Sequence, residues 1–97
     1  MTAETGKPAF RCRVIYSGRV QGVCFRATAL ELARSRPVVG FVRNRPDGTV
    51  ELEAEGQPAE VEHFLAAVAQ EFQGYIRNAE RTVLPARGDE NEFDIHY

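Results

Sequence analysis

No run of apolar residues in this chain approaches the roughly 20 needed for a membrane-spanning helix, and the opening "MTAETGKPAF" has no apolar signal-peptide segment. Cysteine is scarce. Cys12 and Cys24 are the only two and do not form a CxxC pair, which excludes a disulfide scaffold. Free thiols in a reducing compartment are the expectation, so the chain reads as cytoplasmic. Neither sign of charge dominates: the formal net charge of -2 gives no general attraction to nucleic acid or to an anionic membrane. An anion would have to be met by a local cluster. Several catalytic devices are also missing. No glycine-lysine-serine/threonine run is present, so there is no Walker A loop. Neither cysteine opens a Cys-x5-Arg phosphatase loop, since Gly18 and Leu30 occupy the arginine positions. His63 and His96, the only histidines, lie in the second helical and the last strand-like segments.

What is present is one domain. At 97 residues, with 43% hydrophobic and 27% charged residues, the chain can sustain a single core without staples. A loose tail is expected over residues 1–8 and a folded domain over 9–97. Phe10 to Tyr16 alternates, with Phe10, Cys12, Val14 and Tyr16 on one face, so it predicts a half-buried strand. Phe25 to Arg34 places Phe25, Ala29, Leu32 and Ala33 on one helical stripe, and Pro37 prevents continuation. Val38 to Asn44 and Thr49 to Glu55 read as strands joined by the turn "RPDG", whose proline and glycine suit its second and fourth positions. Pro58 opens a second helix with Val61, Phe64, Leu65, Val68, Ala69 and Phe72 on its apolar face, and Gly74 ends it. Ile76 to Val83 and Phe93 to Tyr97 read as further strands, separated by the loop "PARGDENE".

The order βαββαβ plus a short final strand predicts an α+β fold, a ferredoxin-like two-layer sandwich with both helices on one face of an antiparallel sheet. The other face is expected to meet water. Arg11, Arg13, Arg43, Glu51, Glu53 and Glu55 would form solvated cross-strand ion pairs there, with no functional role.

The strand-to-helix connection "SGRVQGVCFR" stands out. Gly18 and Gly22 free the backbone where a Cβ would obstruct it, and N–H groups beside a helix N-terminus can form an anion nest. Arg26 sits in the first helical turn, mildly unfavourable for a cation unless it forks onto a bound anion. By spacing alone, a plain glycine turn with a surface arginine is the favoured reading. Asn44, before the turn, is either turn chemistry or a neutral amide able to hold a water on the helix-facing side. Cys24 is expected as a small, partly buried side chain.

Two motifs together carry a resemblance. Gly18, Val20, Gln21, Gly22, Val23, Phe25 and Arg26 match G-x-V-Q-G-V-x-F-R, and Gly40, Phe41, Val42, Asn44, Asp47, Gly48 and Val50 match G-[FYW]-V-x-N-x-x-D-G-x-V. They follow one another at the usual spacing of the acylphosphatase family, which the chain resembles from about residue 10 to 97. "EGQPAEVEHFL" resembles that family's second helix and "FDIHY" its closing strand. The resemblance implies sheet order 4-1-3-2-5 and hydrolysis of acyl phosphates to a carboxylate and inorganic phosphate, without metal or cofactor. It implies that Arg26 binds phosphate and Asn44 orients the attacking water. The phosphate cradle would be the backbone of Gly18, Arg19, Val20, Gln21, Gly22 and Val23. The partner is then a small acyl phosphate, with phosphate as product and inhibitor, no nucleic acid or membrane partner, and a monomer by default.

Three stretches depart from the pattern: "SRPVV" replaces a glycine turn, Arg45 adds a positive charge that would tune substrate choice, and residues 77–92 match poorly. Two alternatives remain. An RNA-recognition domain shares the layout but would need aromatics on its central strands, where only Phe41 is available. An acylphosphatase-like module acting on carbamoyl phosphate, or binding phosphate without general acylphosphatase activity, is the other.

Overall fold

Alternation and helical periodicity both become structure in the computed structural model, which describes residues 9–97; the expected tail at 1–8 lies outside them. The elements are β1 (Phe10–Gly18), α1 (Phe25–Arg34), β2 (Val39–Asn44), β3 (Val50–Gly56), α2 (Pro58–Glu71), β4 (Ile76–Leu84) and β5 (Phe93–His96). They form one five-stranded sheet in the order β4-β1-β3-β2-β5. Cys12, Val14 and Tyr16 of β1, Val42 of β2, and Val50, Leu52 and Ala54 of β3 face the helices. Against them pack Phe25, Ala29 and Ala33 of α1, and Val61, Phe64, Leu65 and Val68 of α2. Ala69, expected on that stripe, is exposed; Phe72, just past the helix, is buried. The fold is therefore the α+β sandwich that the periodicities imply.

β1 and β2 both run antiparallel to β3, so they run parallel to each other. Their last residues, Gly18 and Asn44, emerge at the same end of the sheet. β5 pairs parallel with β2, so the sheet is mixed and not wholly antiparallel. The reason is the route of the chain. β4 lies on one edge and β5 on the other, and the connection between them crosses beneath the sheet at the end opposite Gly18 and Asn44. Four strand spacings of about 4.8 Å are within reach of such an extended segment.

That crossing corrects the expectation of a solvated outer face. Arg11 is only 1% exposed, and Glu51, Glu53 and Glu55 are buried. Arg11 donates from Nε to Glu53 at 2.7 Å and from Nη1 to Glu55 at 2.8 Å and Glu90 at 2.7 Å. The backbone N–H groups of Arg87 and Gly88 donate to Glu55 at 2.9 and 3.0 Å. The connecting segment is thus pinned over Arg11 by charge-assisted hydrogen bonds. At the other end of the same face Arg43 pairs with Glu51 at 2.8 Å and stays largely exposed. Phe41 is covered by the His96 ring, stacked at 4.5 Å and 7°.

Burial alone would raise the Glu55 carboxyl, but the N–H of Arg87, the Arg11 guanidinium and the N–H of Gly88 outweigh it and hold it below its ordinary value of 4.5. The unfolded chain then takes up this proton more readily than the folded one. The stabilisation is complete above the ordinary value and is lost as pH falls through the lower folded value. Melting temperatures of wild type and Glu55→Gln should therefore differ most near neutral pH and converge below about pH 4.5. A gap that stays constant down to pH 3 would show that Glu55 contributes no proton linkage.

Candidate active site

The connection from β1 to α1 is shaped by close approach. The pairing of β1 with β4 shifts register between Ser17 and Gly18, with Arg77 the extra residue on β4. Gly18 has φ 121°, and a Cβ there would stand 2.5 Å from the Tyr75 carbonyl oxygen and 2.6 Å from the Arg77 nitrogen. The next N–H, of Arg19, donates to that carbonyl at 2.8 Å, tying the loop to the α2–β4 connection. The Arg19 guanidinium lies over the Tyr75 ring. Val20 is fully buried and anchors the loop from beneath. Gly22 has open space around it, so its φ of 78° is what requires glycine there.

Cys24 ends the loop in the left-handed region, φ 63° and ψ 28°, as the residue capping α1. It is exposed, not partly buried as its motif position suggested. A non-glycine residue held there is uncommon and needs surrounding structure to enforce it. Phe25 supplies that: its ring packs 5.1 Å from Tyr16 and 4.3 Å from Phe72, fixing the first turn of α1 in the core. The helix starts with no side-chain cap and no acidic residue in its first turn. Among the described residues, no backbone N–H from Val20 to Ala27 donates to a protein acceptor; Thr28 is the first, bonding to the Cys24 carbonyl at 3.0 Å. Eight consecutive donors are left available at the positive end of a helix.

Arg26 is half-buried in that first turn. Its guanidinium lies 5.1 Å from the centroid of the Tyr97 ring and has no ion pair among the described residues. Tyr97 is delivered there by β5, whose His96 pairs with Arg43. The next residue of β2 is Asn44, which sits across from Val50, itself opposite Tyr16 of β1. Asn44 therefore shares the helix-facing side of the sheet with Val42. Its carboxamide makes no hydrogen bond to a described residue. After Asn44 the chain turns, with Arg45 N–H donating to the Thr49 carbonyl at 2.9 Å and Gly48 N–H to the Arg45 carbonyl at 3.1 Å. Asp47 accepts from both the N–H and the hydroxyl of Thr49.

One side chain closes this arrangement into a ring. Gln21 Nε2 donates to the Arg45 carbonyl and to the Thr49 carbonyl, 2.8 Å each. The cradle, the end of β2 and the end of β5 are thereby linked: Gln21 to Arg45, Asn44 beside Arg45, Arg43 to His96, Tyr97 to Arg26. The sequence motif named Gln21 only as backbone of the cradle. Its side-chain role was not legible, because both acceptors are main-chain atoms more than twenty residues away. Arg45 enters this arrangement through its main chain. Its carbonyl belongs to the site, while its side chain lines a concavity of about 500 Å³ on the outer face with Arg13 and Arg43. The "SRPVV" loop lies at the far end of α1, where Arg36, Pro37 and Val38 border a separate hollow of about 570 Å³.

His63 is exposed on α2 and His96 is stacked on Phe41 on the outer face, so neither borders the cradle. Among the described residues no three His, Cys, Asp or Glu side chains come together as a metal site.

A loop of unpaired N–H groups, an arginine and a carboxamide with no hydrogen bond among the described residues thus stand at one end of a ferredoxin-like sandwich. The comparisons with known proteins supply the class. The acylphosphatase family model matches residues 12–95, and the chain belongs to the acylphosphatase family. It is 39% identical over 88 residues to an acylphosphatase of Geobacillus thermodenitrificans, covering 90% of this chain and 94% of that protein. Among solved structures, an acylphosphatase from Bacillus subtilis superposes with a TM-score of 0.82 at 34% identity, over 91% of this chain and 99% of the other. Full-length HypF shares the fold, with a TM-score of 0.76 at 19% identity, but the match spans only 12% of that chain. The activity is that of the family, hydrolysis of acyl phosphates. The carbamoyl-phosphate or phosphate-binding alternative is not favoured.

Proposed function

We propose that this chain hydrolyses acyl phosphates with the phosphoryl group in the Gly18–Val23 cradle, Arg26 forked onto its oxygens, and Asn44 holding the attacking water. The observation that carries this reading is the run of eight N–H groups from Val20 to Ala27, Arg26 included, that are unpaired among the described residues. The substrate supplies its own leaving group. Water oxygen bonds to phosphorus, the bond from phosphorus to the acyl oxygen breaks, and the carboxylate departs with that electron pair. The water proton passes to a phosphate oxygen, giving carboxylate and inorganic phosphate. A neutral amide cannot serve as a strong base, so Asn44 contributes orientation. The donors are fixed before substrate arrives, and charge on the phosphoryl oxygens meets them without reorganisation.

The same reading has the enzyme acting as a monomer on small acyl phosphates in a reducing, cytoplasmic setting. Two free thiols support the compartment. Among the described residues the large exposed apolar side chains, Tyr75, Val83 and Tyr97, are few, which supports the monomer.

The test separates binding from turnover. With benzoyl phosphate as substrate and EDTA present, wild type should turn over rapidly. Asn44→Ala should lose turnover by about 10²–10³ or more while inorganic phosphate still inhibits or binds nearly as well. If Asn44→Ala loses binding and activity together, the water-orienting role is wrong.

A further inference from the structure

We infer that Gln21 is a positioning residue, whose carboxamide sets where Asn44 stands relative to the phosphate cradle; this rests on the roles proposed above for Asn44 and the cradle. A primary amide nitrogen carries two protons, and both are used here, one on the Arg45 carbonyl and one on the Thr49 carbonyl, at 2.8 Å. The orientation of the amide is decided by chemistry, since the flipped form would press its oxygen against two carbonyl oxygens. These carbonyls stand at the two sides of the β2–β3 turn, and each also accepts a backbone N–H within it. Gln21 thus grips the neck of the turn at the residue next to Asn44.

Among the described residues these are the only hydrogen bonds between the cradle and the hairpin. The other tie of the cradle, from Arg19 to the Tyr75 carbonyl, leads to a different connection. The two halves of the site therefore come from segments far apart in sequence, and one half-buried side chain couples them. Misplacing a reacting group by about 1 Å can cost on the order of 10²-fold in rate. The coupling serves the relation between water and phosphorus; it does not touch the phosphate donors themselves.

Four proteins are compared with wild type: Gln21→Ala, Gln21→Met, Asn44→Ala and the Gln21→Ala/Asn44→Ala double variant. Each is assayed for benzoyl phosphate hydrolysis, inhibition or binding by inorganic phosphate, and melting. Methionine keeps the length and apolar stem of glutamine but has no donor. Both single Gln21 variants should lower kcat by about 10- to 100-fold, with phosphate affinity within about threefold of wild type. In the Asn44→Ala background, removing Gln21 should cost almost nothing further, because the group it positions is gone. Several outcomes overturn the inference: near wild-type kcat in the Gln21 variants, phosphate affinity falling in step with kcat, or an undiminished extra loss in the double variant. Unfolding of both Gln21 variants also overturns it, since the residue would then be holding the fold. The underlying reading fails separately: Asn44→Ala would then keep its turnover, whatever Gln21 does.

Discussion

Arg26→Ala should lower kcat/KM for benzoyl phosphate by at least about 10²–10³ and weaken inhibition by inorganic phosphate in the same variant. The two losses belong together because the guanidinium is proposed to meet the phosphoryl oxygens in both the bound product and the transition state. That pattern differs from the one expected of Asn44→Ala, where binding survives. The comparison is clean in structural terms. Arg26 is half-buried and its only described side-chain partner is the Tyr97 ring, a contact worth about 0.5–1 kcal/mol at an exposed site. Truncation should therefore leave the fold intact, and a melting curve checks this. Arg26→Lys should restore only part of the activity. An ammonium keeps the charge but lacks the planar fork that meets two oxygens at once. An Arg26→Ala enzyme within a few-fold of wild type would place the phosphate anchor elsewhere, in the backbone cradle alone.

Arg11→Ala should be the most destabilising single change on the outer face. Its guanidinium is buried against the carboxylates of Glu53, Glu55 and Glu90. Removing it leaves buried negative charges without a counter-ion, a loss of about 3–5 kcal/mol. Whole domains have only about 5–15 kcal/mol in total, and in a domain this size each kcal/mol is worth roughly 4–8 °C of melting temperature. A drop of at least about 12 °C is expected from those figures. The exposed pair Arg34–Glu31 provides the contrast: both side chains are more than two thirds exposed, and Arg34→Ala should change stability by no more than about 0.5 kcal/mol. Denaturant unfolding of both variants measures the difference. Near-equal effects would mean that the β4–β5 connection holds its place without Arg11.

The two predictions rest on residues that differ in how far they were legible beforehand. Arg26, Asn44, Gly18 and Gly22 stood out as candidates because each lies in a short, contiguous motif. Gly18 is needed by a carbonyl that approaches within the space of a Cβ, and Gly22 by its positive φ; both demands leave a glycine in the sequence. Arg11 was misread. A strand of alternating polar and apolar residues reads as having one wet face, and nothing in "FRCRVIY" tells that a distant loop will cover that face. The loop "PARGDENE" is polar, as a surface loop should be, yet its N–H groups and Glu90 complete a buried network. Arg45 was read for its charge alone. Its carbonyl accepts from Gln21, and the residue lines the concavity of the outer face.

By itself, the sequence determined the order of the elements, the core face of β1, β3 and the two helices, and the family motifs. These rest on local requirements: period 2 or 3.6 in apolar residues, turn chemistry at "RPDG", and glycine where the backbone cannot carry a Cβ. Only the tertiary structure decided how the pieces stand to one another. Parallel β1, β2 and β5 bring Gly18, Asn44 and Tyr97 to one end of the sheet, and Gln21 then joins cradle to hairpin. The burial of Arg11 was settled at the opposite end, where the chain crosses between the two sheet edges. Such relations depend on backbone carbonyls and N–H groups meeting across the chain. Every residue carries a carbonyl and every one but proline an N–H, so no side-chain pattern can announce them.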